Sequence, residues 1–153
     1  MKTRWKIAIA LILLLAAGMR WIVYDVSRHE AFLTAAYAGQ TDIVGQALKD
    51  GESIDATDPR YGATALIFAA QQGHLETVKL LLDNHADMNV LSKLGQTALG
   101  QAAFNGHLDV VKLLLEHGAK LDARLRPGVL SAVADHPDIV KLLPPEQEKA
   151  QVK

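Results

Sequence analysis

Residues 62–82 read GATALIFAAQQGHLETVKLLL, and residues 95–115 read GQTALGQAAFNGHLDVVKLLL. The second string restates the first 33 positions later. Gly62, Thr64 and Leu66 return as Gly95, Thr97 and Leu99, Gly73-His74-Leu75 returns as Gly106-His107-Leu108, and Val78 to Leu82 returns as Val111 to Leu115. A weaker copy precedes them at an offset of 34, through Ala35, Ala36, Gly39, Val44 and Leu48. A late fragment, Asp138 to Leu143, echoes Asp109 to Leu114 at an offset of 29, about four residues short. A fixed period of this length marks a repeat architecture, in which each unit buries its apolar face only against its neighbours.

Each unit divides into two short helices and an extended finger. Thr64 and Thr97 suit the N-cap of the first helix, A, because their hydroxyls can accept from an orphan backbone N–H. Gly39, Gly73 and Gly106 end helix A, where a left-handed residue is wanted. Asp42, Glu76, Asp109 and Asp138 place negative charge in the first turn of helix B, and Lys79, Lys112 and Lys141 follow at three residues. Gly51 and Gly118 close helix B, with His85 at the same register and therefore expected at positive φ. Gly62, Gly95 and Gly128 are expected in the hairpins of the fingers.

This pattern resembles the ankyrin-repeat family, whose consensus runs G-x-T-P-L-H-x-A-A-x-x-G-H-x-x-V-V-x-L-L-L-x-x-G-A-D. The two central copies carry the match, which covers about Ser27 to Leu143. The resemblance implies an all-α solenoid of stacked helix-turn-helix units with β-hairpin-like fingers. Its units are 27–60, 61–93, 94–124 and a truncated 125–143, with the first and last acting as caps. It departs from the consensus where Ala65 and Ala98 replace Pro, and where Ile67 and Gly100 replace the His that bonds neighbouring turns. Weaker coupling between repeats is expected from that loss, and Gly100 inside a helix costs about 1 kcal/mol against Ala.

Before the repeats comes a leader. Ile7 to Gly18 (IAIALILLLAAG) is an uncharged run preceded by Lys2, Arg4 and Lys6. Two readings compete. Ile7 to Tyr24 would span about 27 Å as a helix, near the ~30 Å hydrocarbon core, with Arg20 snorkelling and Trp21 and Tyr24 at the interface. Alternatively, the Ala16-Ala17-Gly18 site makes it a cleavable export signal. A third reading, a core or amphipathic helix of a cytosolic protein, fits poorly because the run has no polar face. Both leading readings keep the N-terminus cytoplasmic and export the rest. Segment 1–24 is thus expected to be an anchor or signal peptide, and the chain a bacterial-type ankyrin protein. The expected location is a single-pass membrane protein or, after cleavage, the periplasm or exterior. Residues 144–153, after the helix-stopping Pro144-Pro145, read as a polar tail.

Composition narrows the function. The 153 residues are 50% hydrophobic and 22% charged, so wholesale disorder is excluded. With no cysteine, disulfides, thiolate zinc sites and thiol nucleophiles are impossible. Net charge is −1, and 16 basic residues less Lys2, Arg4 and Lys6 leave 13 against 17 acidic, about −4. That balance disfavours nucleic acid. The six histidines lack metal-ligand spacing, His74 and His107 being turn residues, and no nucleophile elbow, phosphate loop or dinucleotide fingerprint occurs. No enzyme, metal, cofactor or small-molecule substrate is expected.

What remains is a surface. The resemblance implies that finger tips and the exposed side of the A helices bind a partner protein. Carried over by position, these are Arg60, Tyr61, Ala63, Gln71 and Gln72 in one unit and Lys93, Leu94, Gln96, Phe104 and Asn105 in the next, with Arg124 and Arg126 following. The cations Arg60, Lys93, Arg124 and Arg126 form a ridge suited to an acidic patch on the partner, or are ordinary charged turns. Tyr61, Leu94 and Phe104 beside them suit interface anchors. The expected function is a non-catalytic interaction module displayed on the outer side of a membrane. The alternative is a cleaved, soluble accessory or immunity-type factor that supports or inhibits another protein.

Overall fold

The computed structural model describes residues 28–120, 126–134 and 137–143. Residues 28–37 are helical and form α1. Then follow α2 (Thr41–Lys49), α3 (Ala65–Gln72), α4 (Leu75–Asp83), α5 (Ala98–Phe104), α6 (Leu108–Glu116), α7 (Arg126–Ala132) and α8 (Pro137–Leu142). Odd-numbered helices are the A helices and even-numbered ones the B helices. In the A layer α3 packs on α5 and α5 on α7, and in the B layer α2 packs on α4, α4 on α6 and α6 on α8. Two parallel rows of helices result, so the mostly helical solenoid implied by the repeat is what the chain forms. The leader at 1–24, the tail at 144–153 and Arg124 lie outside the described residues. Among the described residues no helix is long and apolar enough to cross a membrane.

The A row can stack closely because its inner positions are alanines. Ala35, Ala36, Ala65, Ala69, Ala70, Ala98, Ala102 and Ala103 are all buried, with Leu66 and Leu99 filling the gaps. Behind them the B helices contribute Val44, Val78, Leu81, Val111 and Leu114. A core of small residues punctuated by leucines reaches interior packing density only if neighbours interlock. Truncating Leu66 or Leu99 to Ala therefore carries the usual large core penalty, about 2–5 kcal/mol.

The helix ends follow local chemistry. The Oγ1 of Thr64 accepts from Ile67 N at 3.3 Å, and that of Thr97 accepts from Gly100 N at 3.0 Å. A β-carbon on Gly100 would lie 3.2 Å from the capping Thr97 Oγ1, so the glycine that weakens the helix also leaves room for its cap. At the exits, Gly39, Gly73, Gly106, Gly51 and Gly118 have positive φ, as does His85 at 66°, the register-mate of Gly51 and Gly118. Of the acid–lysine pairs, Asp138 and Lys141 approach to 3.8 Å with both side chains solvated. Such a pair contributes little. Among the described residues Glu76–Lys79 and Asp109–Lys112 form no ion pair.

The last unit differs from expectation. Gly128 lies inside α7 rather than in a hairpin, and Arg126 opens that helix rather than sitting on a finger. Helix α7 starts 28 residues after α5, and α8 starts 29 after α6. The missing residues therefore fall between α6 and α7.

Candidate partner-binding face

The first finger is folded by one carboxylate. Asp58 accepts the backbone N–H of Arg60, Tyr61 and Ala63, each at 3.0 Å, while Asp58 N donates to Ala63 O at 3.0 Å. Thr57 and Thr64 form an isolated antiparallel bridge at its base, and Gly62 turns the tip at φ 63°. Burial works to raise the Asp58 carboxyl, but the N–H donors of Tyr61, Ala63 and Arg60 and the charge of Lys93 outweigh it and hold it below its ordinary value. In the next finger Ser92 does this work: its Oγ accepts from Leu94 N at 3.2 Å and Gln96 N at 3.1 Å.

Lys93 joins the two fingers. Its backbone N–H donates to Tyr61 O at 2.8 Å, and its Nζ donates to Pro59 O. One ammonium donor of this expected partner-facing cation is thus spent on the scaffold. Arg60 is exposed, and its guanidinium sits 5.9 Å from the centroid of the Tyr61 ring. Of the ridge of four cations, then, Arg60 is free to face outward, Lys93 is shared with the neighbouring finger, Arg126 starts α7 and Arg124 is outside the described residues.

On the fingers and A helices Tyr61 is 46% exposed, Leu94 66%, Phe104 61% and Tyr37 49%, and Leu91 of the second finger is 51% exposed. Tyr61 and Leu94 hold equivalent finger-tip positions. Tyr37, Gln71 and Phe104 hold one position near the end of successive A helices. Gln71, Gln72 and Gln96 are half-buried, and Asn105 is exposed with its Nδ2 donating to Gln101 O at 2.9 Å. Ala63 is buried at 3% and cannot meet a partner.

Tyr37 lies in the capping unit 27–60 and shares its register with Phe104. The structure brings it edge-on to Phe68, ring centroids 6.0 Å apart at 82°. These two rings and Leu33 floor a groove of about 370 Å³, walled by Pro59 and Tyr61 and rimmed by Glu30, Thr34, Asp58 and Arg60. Leu33, Phe68 and Glu30 belong to this groove although nothing in their local sequence marks them for it. The groove is apolar below and charged at its lip, as a pocket for an anchoring side chain requires. Among the described residues no group of three His, Asp or Glu side chains could hold a metal ion.

The comparisons with known proteins agree with this geometry. The family model described as ankyrin repeats (3 copies) matches residues 9–92, 32–125 and 76–153. The chain is 33% identical over 71 residues to "Ankyrin repeat, SAM and basic leucine zipper domain-containing protein 1" of Carollia perspicillata. Against the protein of the same name from Oryctolagus cuniculus it is 38% identical over 60 residues. These matches take in 46% and 39% of this chain, but only 15% and 12% of those two proteins.

Proposed function

The chain belongs to the ankyrin-repeat family, whose repeats are protein–protein interaction modules, and from that premise we propose that it is a non-catalytic adaptor held on the outer side of a membrane by residues 7–24. It grips a partner protein with its fingers and A helices. The observation that carries this reading is that the exposed rings of Tyr37 and Tyr61 line one groove, with Leu94 and Phe104 exposed at the equivalent positions of later units. Rigid aromatic anchors lose little rotamer freedom on binding, and a stacked scaffold holds them in place beforehand. Arg60 at the lip of the groove favours an acidic residue beside the partner's apolar anchor.

Membrane display rests on the leader, with Lys2, Arg4 and Lys6 ahead of the apolar run and Trp21 and Tyr24 behind it. The small-residue site Ala16-Ala17-Gly18 favours a second reading, a soluble factor released after cleavage. Intact mass of the mature protein separates the two: loss of about eighteen residues means release.

The binding face is tested by crosslinking pulldown from membranes with the tagged full-length chain, comparing wild type with a Tyr61→Ala/Phe104→Ala double variant. The expected result is loss of the captured partner at unchanged helical content. Equal capture by both chains discards this face.

A further inference from the structure

Every rung of the B row has a side that looks back along the ladder and a side that looks forward. Thr77 looks back from α4, since its Oγ1 lies 2.8 Å from Thr41 Oγ1 at the start of α2. Thr77 and its register-mates Val110 and Ile139 are all buried, each at 1% exposure. Ile43 holds the same register on α2 and is 50% exposed. One position further along, Val44, Val78 and Val111 are fully buried, each with a later B helix packed beside its own. Val140 holds that register on α8, where no later helix follows among the described residues, and it is 39% exposed.

The two terminal B helices carry one tripeptide. Asp42-Ile43-Val44 lies in the first turn of α2, and Asp138-Ile139-Val140 lies in the first turn of α8. In α2 the isoleucine is bare and the valine covered, whereas in α8 the isoleucine is covered and the valine bare. The A row shows the same at its first helix, where Ala31 is exposed while its register-mates Ala65 and Ala98 are buried. A sealed solenoid ends on polar residues. Here each end carries the residues of an interior joint instead.

We propose that these two ends meet in a second copy of the chain, Val140 of one molecule against Ile43 of the next, so that the ladder continues head to tail. The interior joint between α6 and α8 sets the forward register of Val111 against the backward register of Ile139. Val140 followed by Ile43 is that same pair of residue types, so the joint between copies continues one the chain already makes. Leu142, 38% exposed on α8, adds apolar surface at the same end. A net charge of −1 gives two copies little mutual repulsion. The two ends are different surfaces, so the contact is heterologous and leaves one free end on each side of a pair. Within one molecule Ile43 and Val140 stand at opposite ends of the B row and cannot meet. Tyr37, Tyr61, Leu94 and Phe104 take no part, so this inference stands apart from the partner-binding reading.

The chain has no cysteine, which makes disulfide trapping clean. Full-length Ile43→Cys and Val140→Cys chains are purified separately in detergent micelles, mixed, and oxidised with copper phenanthroline. The mixture should give a disulfide dimer that neither chain gives alone, and the Ile43→Cys/Val140→Cys double variant should give a ladder of multimers. No crosslink in the mixture overturns the proposal, as does equal crosslinking of either chain with itself. Both positions are exposed, so helical content should match the wild type. Should a cysteine chain misfold, sedimentation decides. The wild-type species should grow with protein concentration, and Val140→Glu should abolish that growth. A wild type that stays monomeric, or growth that survives Val140→Glu, overturns the end-to-end joint.

Discussion

His107 packs against Gly73: a β-carbon on that glycine would fall 2.4 Å from His107 Nδ1, while His107 Nε2 meets Gln71 O at 3.0 Å. One unit earlier His74 stands in the same relation to Gly39, with its Nε2 3.0 Å from Tyr37 O. The glycine therefore does two things. It turns the exit of one A helix, and it opens the space into which the next unit's histidine reaches. Weaker coupling was expected from the absence of the consensus histidine at Ile67 and Gly100. The turn histidines supply a hydrogen bond between units all the same.

Gly73→Ala should therefore destabilise the domain more than Gly118→Ala. Both glycines have positive φ, 75° and 87°, but a β-carbon at Gly118 meets nothing within 4 Å. The left-handed penalty alone is about 1–2 kcal/mol, and overpacking adds about 1–3 kcal/mol at Gly73. Urea unfolding of the two variants checks the difference. Equal losses would mean that the histidine yields freely.

His85→Gly should raise stability. His85 holds φ 66°, is exposed, and occupies the register filled by Gly51 and Gly118. Relief of the left-handed strain exceeds the entropy glycine loses, leaving a gain of about 0.5–1 kcal/mol. Thermal unfolding that shows no rise would sink this expectation.

Asp58→Asn should flatten the acid limb of the stability profile. The folded carboxyl lies below its ordinary value, so its contribution is present above about pH 4, the value of the unfolded group. It is lost as pH falls through the folded value. Wild type and variant should differ most at neutral pH and converge in strong acid. Parallel acid limbs in the two chains would contradict this account of the finger.

Lys93→Glu should lower Tm where Arg60→Glu does not. The lysine Nζ bonds Pro59 O across the fingers, and losing a charged hydrogen bond costs about 1 kcal/mol or more. Arg60 is exposed, and surface changes usually stay within about 0.5 kcal/mol. Arg60→Glu is thus the cleaner probe of an acidic partner. Identical melting of the two single variants would show that the Lys93 contact carries no weight in the scaffold.

Much of the fold was legible because the period forces it. The capping of α3 and α5 by Thr64 and Thr97 and the left-handed exits at Gly39, Gly73 and Gly106 are local consequences of residue type, while the positive φ of His85 follows from its register with Gly51 and Gly118. The fourth unit was not legible in this way. Projecting the 33-residue register onto Gly128 placed it in a hairpin, because sequence shows that residues are missing but not where the chain absorbs the loss. The face was read from position alone, so Ala63 was included although it is buried at 3%, and Leu33 and Phe68 were left out of the groove.

By itself the sequence determined that this chain is a ladder of helix pairs with fingers, since repeated glycines, caps and leucines act within a few residues of themselves. Only the tertiary structure decided which side chains cross from one rung to the next. Lys93 reaching Pro59 and His107 reaching Gln71 span 34 and 36 residues. Contacts at that separation depend on how the units stack, and the linear order of residues does not encode the distance between neighbouring rungs.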